Sequence, residues 1–322
     1  MASLQVATLG QVIRLLILAI LFPLSGALVR IRAHYRPKRP RLQYHSRDAS
    51  EGARATFSDT WRTEYVAPVP SFLGMLRRTQ KIEGWAGLYK GFVPMLLAEI
   101  PVYIGTTIRA HYRQTNHPNN VLLEFAFKII AMLVVLPFTV ASYRAIVIPV
   151  GTKLSYFDIW RSVHRLFSAE ERKQPLRLYL TPGLIAIKLI QTVHPFLVGY
   201  VLASDGKIPD ALNVQILHLG IRVVFTLINA IVGPPLEAIA IRLMVQWSVE
   251  DSINNSALRK GNVVDLRGDQ QSYTGLINCA KTIIAEEGYG TLYRPLWLNI
   301  VFTSMLSIGG AFATYQLYRK TE

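Results

Sequence analysis

The chain has 322 residues, of which 51% are hydrophobic and 17% are charged, whereas soluble domains carry nearer a quarter of charged residues. This composition argues against a disordered chain, a coiled coil, a disulfide scaffold or an ordinary soluble enzyme. The 35 Lys and Arg outnumber the 20 Asp and Glu and give a net charge of +15, but no basic stripe interleaved with aromatic residues marks a nucleic-acid surface, so no nucleic-acid partner is expected.

Six apolar stretches predict an all-α membrane protein with six transmembrane helices. A span needs about 20 residues, and a backbone without water must be helical in lipid. The stretches are, approximately, 8–33, 92–115, 120–150, 180–203, 213–247 and 295–318. The first has no Arg-rich transit peptide before it and no small-residue cleavage site after it. We therefore interpret it as the first membrane helix rather than a removed signal peptide.

The connections alternate between long and short, and the long ones carry most of the basic charge. Segment 34–90 holds eleven Lys and Arg against five Asp and Glu, 151–177 holds six against three, and 248–294 holds five against six. Membrane proteins keep Lys and Arg in loops on the inside face, so the long loops are predicted inside and both termini opposite. The stretch 37–70 is rich in Pro, Arg, Ser and Thr and is predicted to be a mobile insert.

The basic run Arg36 to Arg41 follows the first helix. We interpret it as a topology and lipid-surface anchor. The alternative is a docking site for cardiolipin or for an acidic protein partner.

Metal and cofactor signals are weak. The seven histidines show no metal spacing, and no Gly-rich phosphate loop or nucleophile elbow occurs. The single cysteine, Cys279, excludes an internal disulfide framework and is interpreted as a small packing residue. No metal and no cofactor are expected.

Three segments repeat a proline that is followed seven residues later by an arginine. They run from Pro23 to Arg30, from Pro137 to Arg144 and from Pro235 to Arg242. A Leu-Tyr pair follows each, at Leu88, Leu178 and Leu292, and a Glu-Gly pair precedes the first and the third. One such proline only kinks a helix, but three in register indicate an internal repeat. We predict three repeats of two membrane helices and an inside loop: 1–115, 116–205 and 206–322.

These motifs resemble those of the mitochondrial carrier family, which has proline, acid, base and arginine at fixed spacing on odd-numbered helices. In the family a Glu-Gly pair and an aromatic-basic-Gly turn follow. The resemblance covers essentially the whole chain and is weakest in repeat 2. It implies a six-helix bundle with pseudo-threefold symmetry around a central cavity, and short helices in the long loops. It also implies a mitochondrial membrane transporter rather than an enzyme.

The sequence departs from the family at the inner gate, where three acids pair with three bases. The acid positions here are Ser25, Thr139 and Glu237, and the base positions are Leu28, Ser142 and Ala240. Only Glu237 is charged, so the family's ring of ion pairs cannot form, although an arginine of another repeat could reach Glu237. The hydroxyl groups could instead hydrogen-bond between helices. The outer gate is also incomplete, with Gln316 in place of an acid.

The resemblance also indicates a level of substrate contact inside the bundle, near Ala98, Lys188 and Phe302. Lys188 is the one cation among them, so a nucleotide, which needs several, is not expected. An amino acid or a carboxylic acid could use Lys188 with Gln191 and Thr192. Alternatively, Lys188 extends to the helix end or pairs with Glu99.

Two hypotheses for function remain open. The first is a divergent carrier of the mitochondrial inner membrane that moves a small solute by alternating access through a central site. The second is a carrier-fold adaptor or scaffold of the outer membrane that does not transport. The first is favoured by what the family does, and the second by the incomplete gates.

Overall fold

The computed structural model describes residues 2–36, 42–44, 61–63, 71–115, 121–147, 166–167, 169–204, 212–253, 263–264, 266–267 and 273–301. In this part of the chain the long helices are α1 Ala2–Ala33, α2 Phe72–Leu88, α3 Phe92–Thr115, α4 Val121–Val147, α6 Leu184–Ser204 and α7 Leu212–Ile253. The short helices are α5 Ala169–Lys173, α8 Leu276–Glu286, α9 Tyr289–Leu292 and α10, which is described over 296–301. A 3₁₀ turn occupies Pro175–Leu178.

One small sheet departs from the all-α prediction. Strands β1 Leu42–Tyr44 and β2 Trp61–Thr63 pair antiparallel, with Leu42 opposite Thr63. Both strands lie in the predicted insert 37–70. The described fold is therefore helical apart from this three-residue ladder.

The long helices other than α2, which lies in the predicted loop 34–90, coincide with predicted apolar stretches. By length and composition, Leu15–Ala33, Val121–Val147 and Val223–Gln246 could each cross a membrane, and Phe92–Gly105 and Leu184–Leu197 are shorter apolar helices. The beginning of the sixth stretch is helical at 296–301, and its remainder lies outside the described residues.

The three repeat prolines lie inside long helices. Pro23, Pro137 and Pro235 fall within α1, α4 and α7, and each helix continues past its proline to the arginine seven residues later. Proline removes a backbone donor, which neighbouring helices can compensate in a membrane protein. All three prolines therefore lie within a long helix, two turns before a buried arginine.

The loop helices of predicted repeats 1 and 3 are interrupted in the same way. α2 contains a break at Gly84, whose φ is 70°, and Gly288, whose φ is 97°, separates α8 from α9. Only glycine adopts such a φ at little cost, which explains the Glu-Gly pairs in the sequence. Repeat 2 makes the equivalent break at Gln174 with φ −134°, so it needs no glycine.

The core lies where the C-terminal parts of α1, α4 and α7 converge. We call this region, residues 26–34, 140–147 and 238–245, the packed end; most of its side chains are buried. One buried cluster joins α1, α2, the end of α4 and α7, and a second joins α4, α6, α7 and α8. Tyr143 packs against both clusters.

Candidate functional site

Each repeat arginine is buried at the packed end and bonded to a glutamate of a loop helix. Arg144 meets Glu171 through two hydrogen bonds of 2.5 and 2.8 Å. Arg242 meets Glu287 through two of 2.5 and 3.0 Å. Such two-pronged, charge-assisted pairs fix both distance and orientation. They fasten each loop helix to the odd-numbered helix before it.

The first of these pairs is looser than the other two. Arg30 Nη2 lies 3.3 Å from Glu83 Oε2 and donates a 2.7 Å hydrogen bond to the carbonyl oxygen of Gly87. Glu83 also accepts from Lys90 Nζ at 3.1 Å. Burial lowers the pKa of Lys90, and attraction to Glu83 opposes that shift. Arg30 Nε and Nη1 find no hydrogen-bond partner within the described part of the chain.

Two of the arginines also reach the next predicted repeat. Arg144 Nε donates to the carbonyl oxygen of Met244 at 2.8 Å, and Arg242 Nε donates to that of Arg32 at 2.9 Å. Each acceptor lies two residues beyond the arginine of its own repeat. The matching acceptor for Arg30 is the carbonyl of Ile146, and among the described residues no such bond forms. In the described part of the chain, the relationship therefore holds at two of the three boundaries between predicted repeats.

A further ion pair joins α1 to α7. Arg32 Nη1 contacts Glu237 Oε2, and Arg32 Nη2 donates to Asn299 Oδ1 at 2.9 Å. The Arg32 side chain is 1% exposed, whereas that of Glu237 is 33% exposed. Tyr143 of α4 and Lys188 of α6 both interact electrostatically with Glu237. Side chains from α1, α4 and α6 thus interact with one carboxylate of α7.

Comparison with known families identifies the C-terminal third of the chain. Residues 218–321 match the family model described as mitochondrial carrier protein. This part of the chain is similar to a mitochondrial carrier domain. This match confirms the family predicted from the motifs and indicates a mitochondrial membrane protein of a transporter family. No curated protein matches the chain.

Besides Glu237, the predicted inner-gate positions fall into three groups. Ser25 and Thr139 donate their hydroxyl hydrogens to carbonyls of their own helices, at Phe22 and Val135. Leu28 and Ala240 are buried in the hydrophobic core. Ser142 is the gate hydroxyl that bonds across helices, through a 2.8 Å hydrogen bond to the carbonyl oxygen of Gly91.

The predicted substrate-contact residues are only partly brought together. Ala98 is buried on α3, while Lys188, Gln191 and Thr192 are half-buried on α6. The hydroxyl of Thr192 donates to the carbonyl oxygen of Lys188 at 2.8 Å and so serves its own helix. Phe302 and the outer-gate position Gln316 lie outside the described residues. Of the candidates in the described residues, Lys188 lies within electrostatic range of an acid on another helix, Glu237, but forms no ion pair with it.

Sequence reasoning missed three residues of this arrangement. Glu171 was not recognised because no glycine follows it and it lies seven residues before Leu178, whereas Glu83 and Glu287 lie five before their leucines. Searching for an acid ahead of every Leu-Tyr pair, rather than for Glu-Gly, would have found it. Arg32 and Asn299 carry no motif signal, because their roles arise from helix packing.

The titratable side chains that the structure describes form no metal centre. Within the described residues, no group of three or more His, Cys, Asp or Glu side chains is placed to hold a metal ion. Cys279 is fully buried in α8, and burial raises the pKa of its thiol to about 12. Such a thiol stays protonated and packs as a small apolar group.

Proposed function

We propose that the chain is a divergent mitochondrial carrier that moves a small solute by alternating access through the centre of a six-helix bundle. The observation that carries the proposal is the set of three equivalent arginines, each bonded to a glutamate of the loop helix that follows it. Their recurrence supports three structural repeats. The carrier domain at 218–321 supports the same reading.

The solute we propose is an amino acid or a carboxylic acid. Lys188 is half-buried on α6 and supplies one cationic group. The negative charge of Glu237 attracts this group. A single cation with an acid nearby suits a singly charged or zwitterionic ligand better than a polyphosphate. Gln191, on the same helix, supplies further polar contact.

The proposal is tested with purified protein reconstituted into liposomes. We expect uptake of one member of a panel of radiolabelled amino acids, monocarboxylates and dicarboxylates, and none of adenine nucleotides. Lys188→Gln should lower that uptake by roughly tenfold, the loss that follows removal of one charge-assisted contact. Lys281→Gln, at an exposed lysine of loop helix α8, is the matched control and should leave uptake unchanged.

If none of the solutes in the panel is taken up, the transport proposal is wrong. The non-transporting adaptor would then be the reading to pursue, by capture of partners from the mitochondrial membranes. Flux that is equal in Lys188→Gln and wild type would keep transport but remove Lys188 from the solute site.

A further inference from the structure

A short segment between α7 and α8 belongs to the core of the packed end. The residues that the structure describes in it are Val263, Val264, Leu266 and Arg267, and we call these four residues the plug. Val263 is 4% exposed and Val264 is 2% exposed, and Leu266 packs against the same buried cluster. The described plug residues lie in neither a helix nor a strand, so their position depends mainly on side-chain packing.

The cluster that buries the plug contains the ends of α1, α4 and α7. Its members at these ends are Ile31, Ala33, Ile146, Val147, Ile241 and Val245. Phe72 and Met75 of loop helix α2 belong to the same cluster. The plug therefore shares one apolar core with the three helices whose ends have to separate if the bundle is to open on this side.

The same cluster includes Leu28, a predicted position of the inner gate. The family resemblance predicts a charged base there, but Leu28 is apolar and 8% exposed. An apolar constriction excludes water and so blocks charged solutes without any ion pair. The cluster that holds Leu28 and the plug can therefore close the packed end where the family's ring of ion pairs cannot form.

Arg267 fastens the plug to the loop helix α8. Its Nη2 atom donates to Glu286 Oε1 at 2.8 Å, and its guanidinium lies 4.9 Å from the centroid of the Tyr273 ring. The other oxygen of Glu286 accepts from the Tyr35 hydroxyl at 3.0 Å. The Arg267 and Glu286 side chains are 16% and 28% exposed, so water can solvate both charges when they part. This contact can therefore be released without leaving a charge buried and unpaired.

Resting on the proposed transport function, we propose that the plug is an apolar lid of the inside end. In the conformation described it closes the path of the solute, and it withdraws when the solute passes to the inside. Val263, Val264 and Leu266 bury little area compared with the helices around them, so the plug can open locally while α1, α4 and α7 stay folded. Arg267 is a positioning residue that holds the plug closed.

The test compares two buried thiols in one chain and needs no knowledge of the solute. Val264→Cys places a thiol on the plug, and the native Cys279, 0% exposed on α8, reports opening of the loop helix. The full chain in lipid nanodiscs is treated with an impermeant maleimide, and labelling of each thiol is followed by mass spectrometry. We expect the plug thiol to react roughly tenfold faster than Cys279, because a local opening exposes it. Val263→Cys repeats the measurement at a second plug position.

A pair of further variants tests the role of Arg267. Added to Val264→Cys, Arg267→Gln should speed labelling of the plug thiol several-fold without speeding that of Cys279. Lys173→Gln, at an exposed lysine of α5, removes the same charge elsewhere and should change neither rate.

Equal labelling rates of Cys279 and of the thiols at both plug positions would overturn the proposal, since the plug would then open only together with α8. A plug rate that Arg267→Gln leaves unchanged, or raises only in step with the Cys279 rate, would overturn it as well. Solute uptake into liposomes is scored separately. A plug that opens as proposed in a chain that takes up no solute would count against the transport function alone.

Discussion

Arg242 donates through Nε to the carbonyl oxygen of Arg32, at 2.9 Å, and so links two arginines that the sequence separates by 210 residues. The same guanidinium holds Glu287 with its other two nitrogen atoms. One side chain thereby ties an odd helix, the loop helix behind it and the first helix of the chain.

Glu287→Gln should destabilise the protein strongly, because it leaves Arg242 buried without a counter-charge. Breaking a buried pair from one side costs about 3–5 kcal/mol. Glu83→Gln should cost less, since Glu83 meets Arg30 through one contact of 3.3 Å, whereas Glu287 meets Arg242 through two shorter ones. The measurement is the thermal midpoint of the detergent-purified variants.

The control for this comparison is Glu170→Gln. Glu170 pairs with Arg177 at the surface, where both side chains are more than half exposed, so its loss should cost about 1 kcal/mol or less. If Glu287→Gln shifted the midpoint no more than Glu170→Gln, the buried pair would not be holding the loop helix in place.

Gly91→Ala should destabilise the protein strongly. Its φ is +84°, and an added Cβ would lie 2.6 Å from the carbonyl oxygen of Ser142. Backbone strain alone costs about 1–2 kcal/mol at such a φ, and the clash across helices adds to it. Thermal midpoints again provide the readout.

Substitutions of two other glycines separate the cost of backbone strain from the cost of the steric clash with α4. Gly84 has a φ of +70° but open space around its Cβ, so Gly84→Ala should show the strain alone. Gly105 lies in α3 with neither constraint, and Gly105→Ala should be neutral or slightly stabilising. Equal effects of Gly84→Ala and Gly91→Ala would contradict the close approach of the Gly91 turn to α4.

Cys279 should make the stability fall with rising pH above the pKa of a free thiol. Burial raises the folded-state pKa to about 12 from an unfolded value near 9, so between these limits the unfolded chain ionises and the folded one does not. The stabilising contribution is complete below pH 9 and is lost as pH rises toward 12. At pH 10.5 the loss is about 2 kcal/mol.

Cys279→Ala isolates this effect from other titrations. The drop in thermal midpoint between pH 8 and pH 10.5 should be smaller in the variant than in wild type. A pH dependence that is identical in both proteins would mean that the thiol is accessible to hydroxide in the folded state.

The three inside loops should react together with an impermeant thiol reagent. Leu73→Cys, Leu176→Cys and Ile277→Cys each place a thiol at an exposed position, one per loop. In an inner-membrane carrier with its long loops in the matrix, none should be modified in intact or outer-membrane-ruptured mitochondria, and all should be modified after solubilisation. One position that reacts apart from the others would refute the six-span arrangement.

The same experiment decides between the two membranes. Modification of all three thiols in intact mitochondria would place the protein in the outer membrane, with its loops toward the cytosol. Protease digestion of a tag inserted in 37–70 gives an independent reading of the same side.

Much of the helical architecture could be predicted from the sequence, because apolar stretches and proline spacing are local signals. α3 matches its predicted bounds, 92–115, and α4 falls within 120–150. The carrier family followed from the Pro-to-Arg spacing and the Leu-Tyr turns.

The sequence indicated that an arginine of another repeat could reach Glu237, as Arg32 does, but it could not say which arginine. Arg32 lies one helical turn beyond Leu28, the base position, and therefore on the same face of α1. Nothing in the motif marks this displaced arginine as the partner of Glu237, since the contact depends on how α1 and α7 pack. The absence of the family's ring of ion pairs was visible in the sequence, but the contacts of Arg32 with Glu237 and Asn299 were not.

The ladder between β1 and β2 sets Tyr44 directly opposite Trp61. Opposed residues of an antiparallel pair have Cα atoms about 4.5–5.5 Å apart. The segment that connects these two residues therefore begins and ends at neighbouring points. A reporter with its own termini close together, such as a small fluorescent domain, can be spliced between these two residues without pulling α1 away from α2.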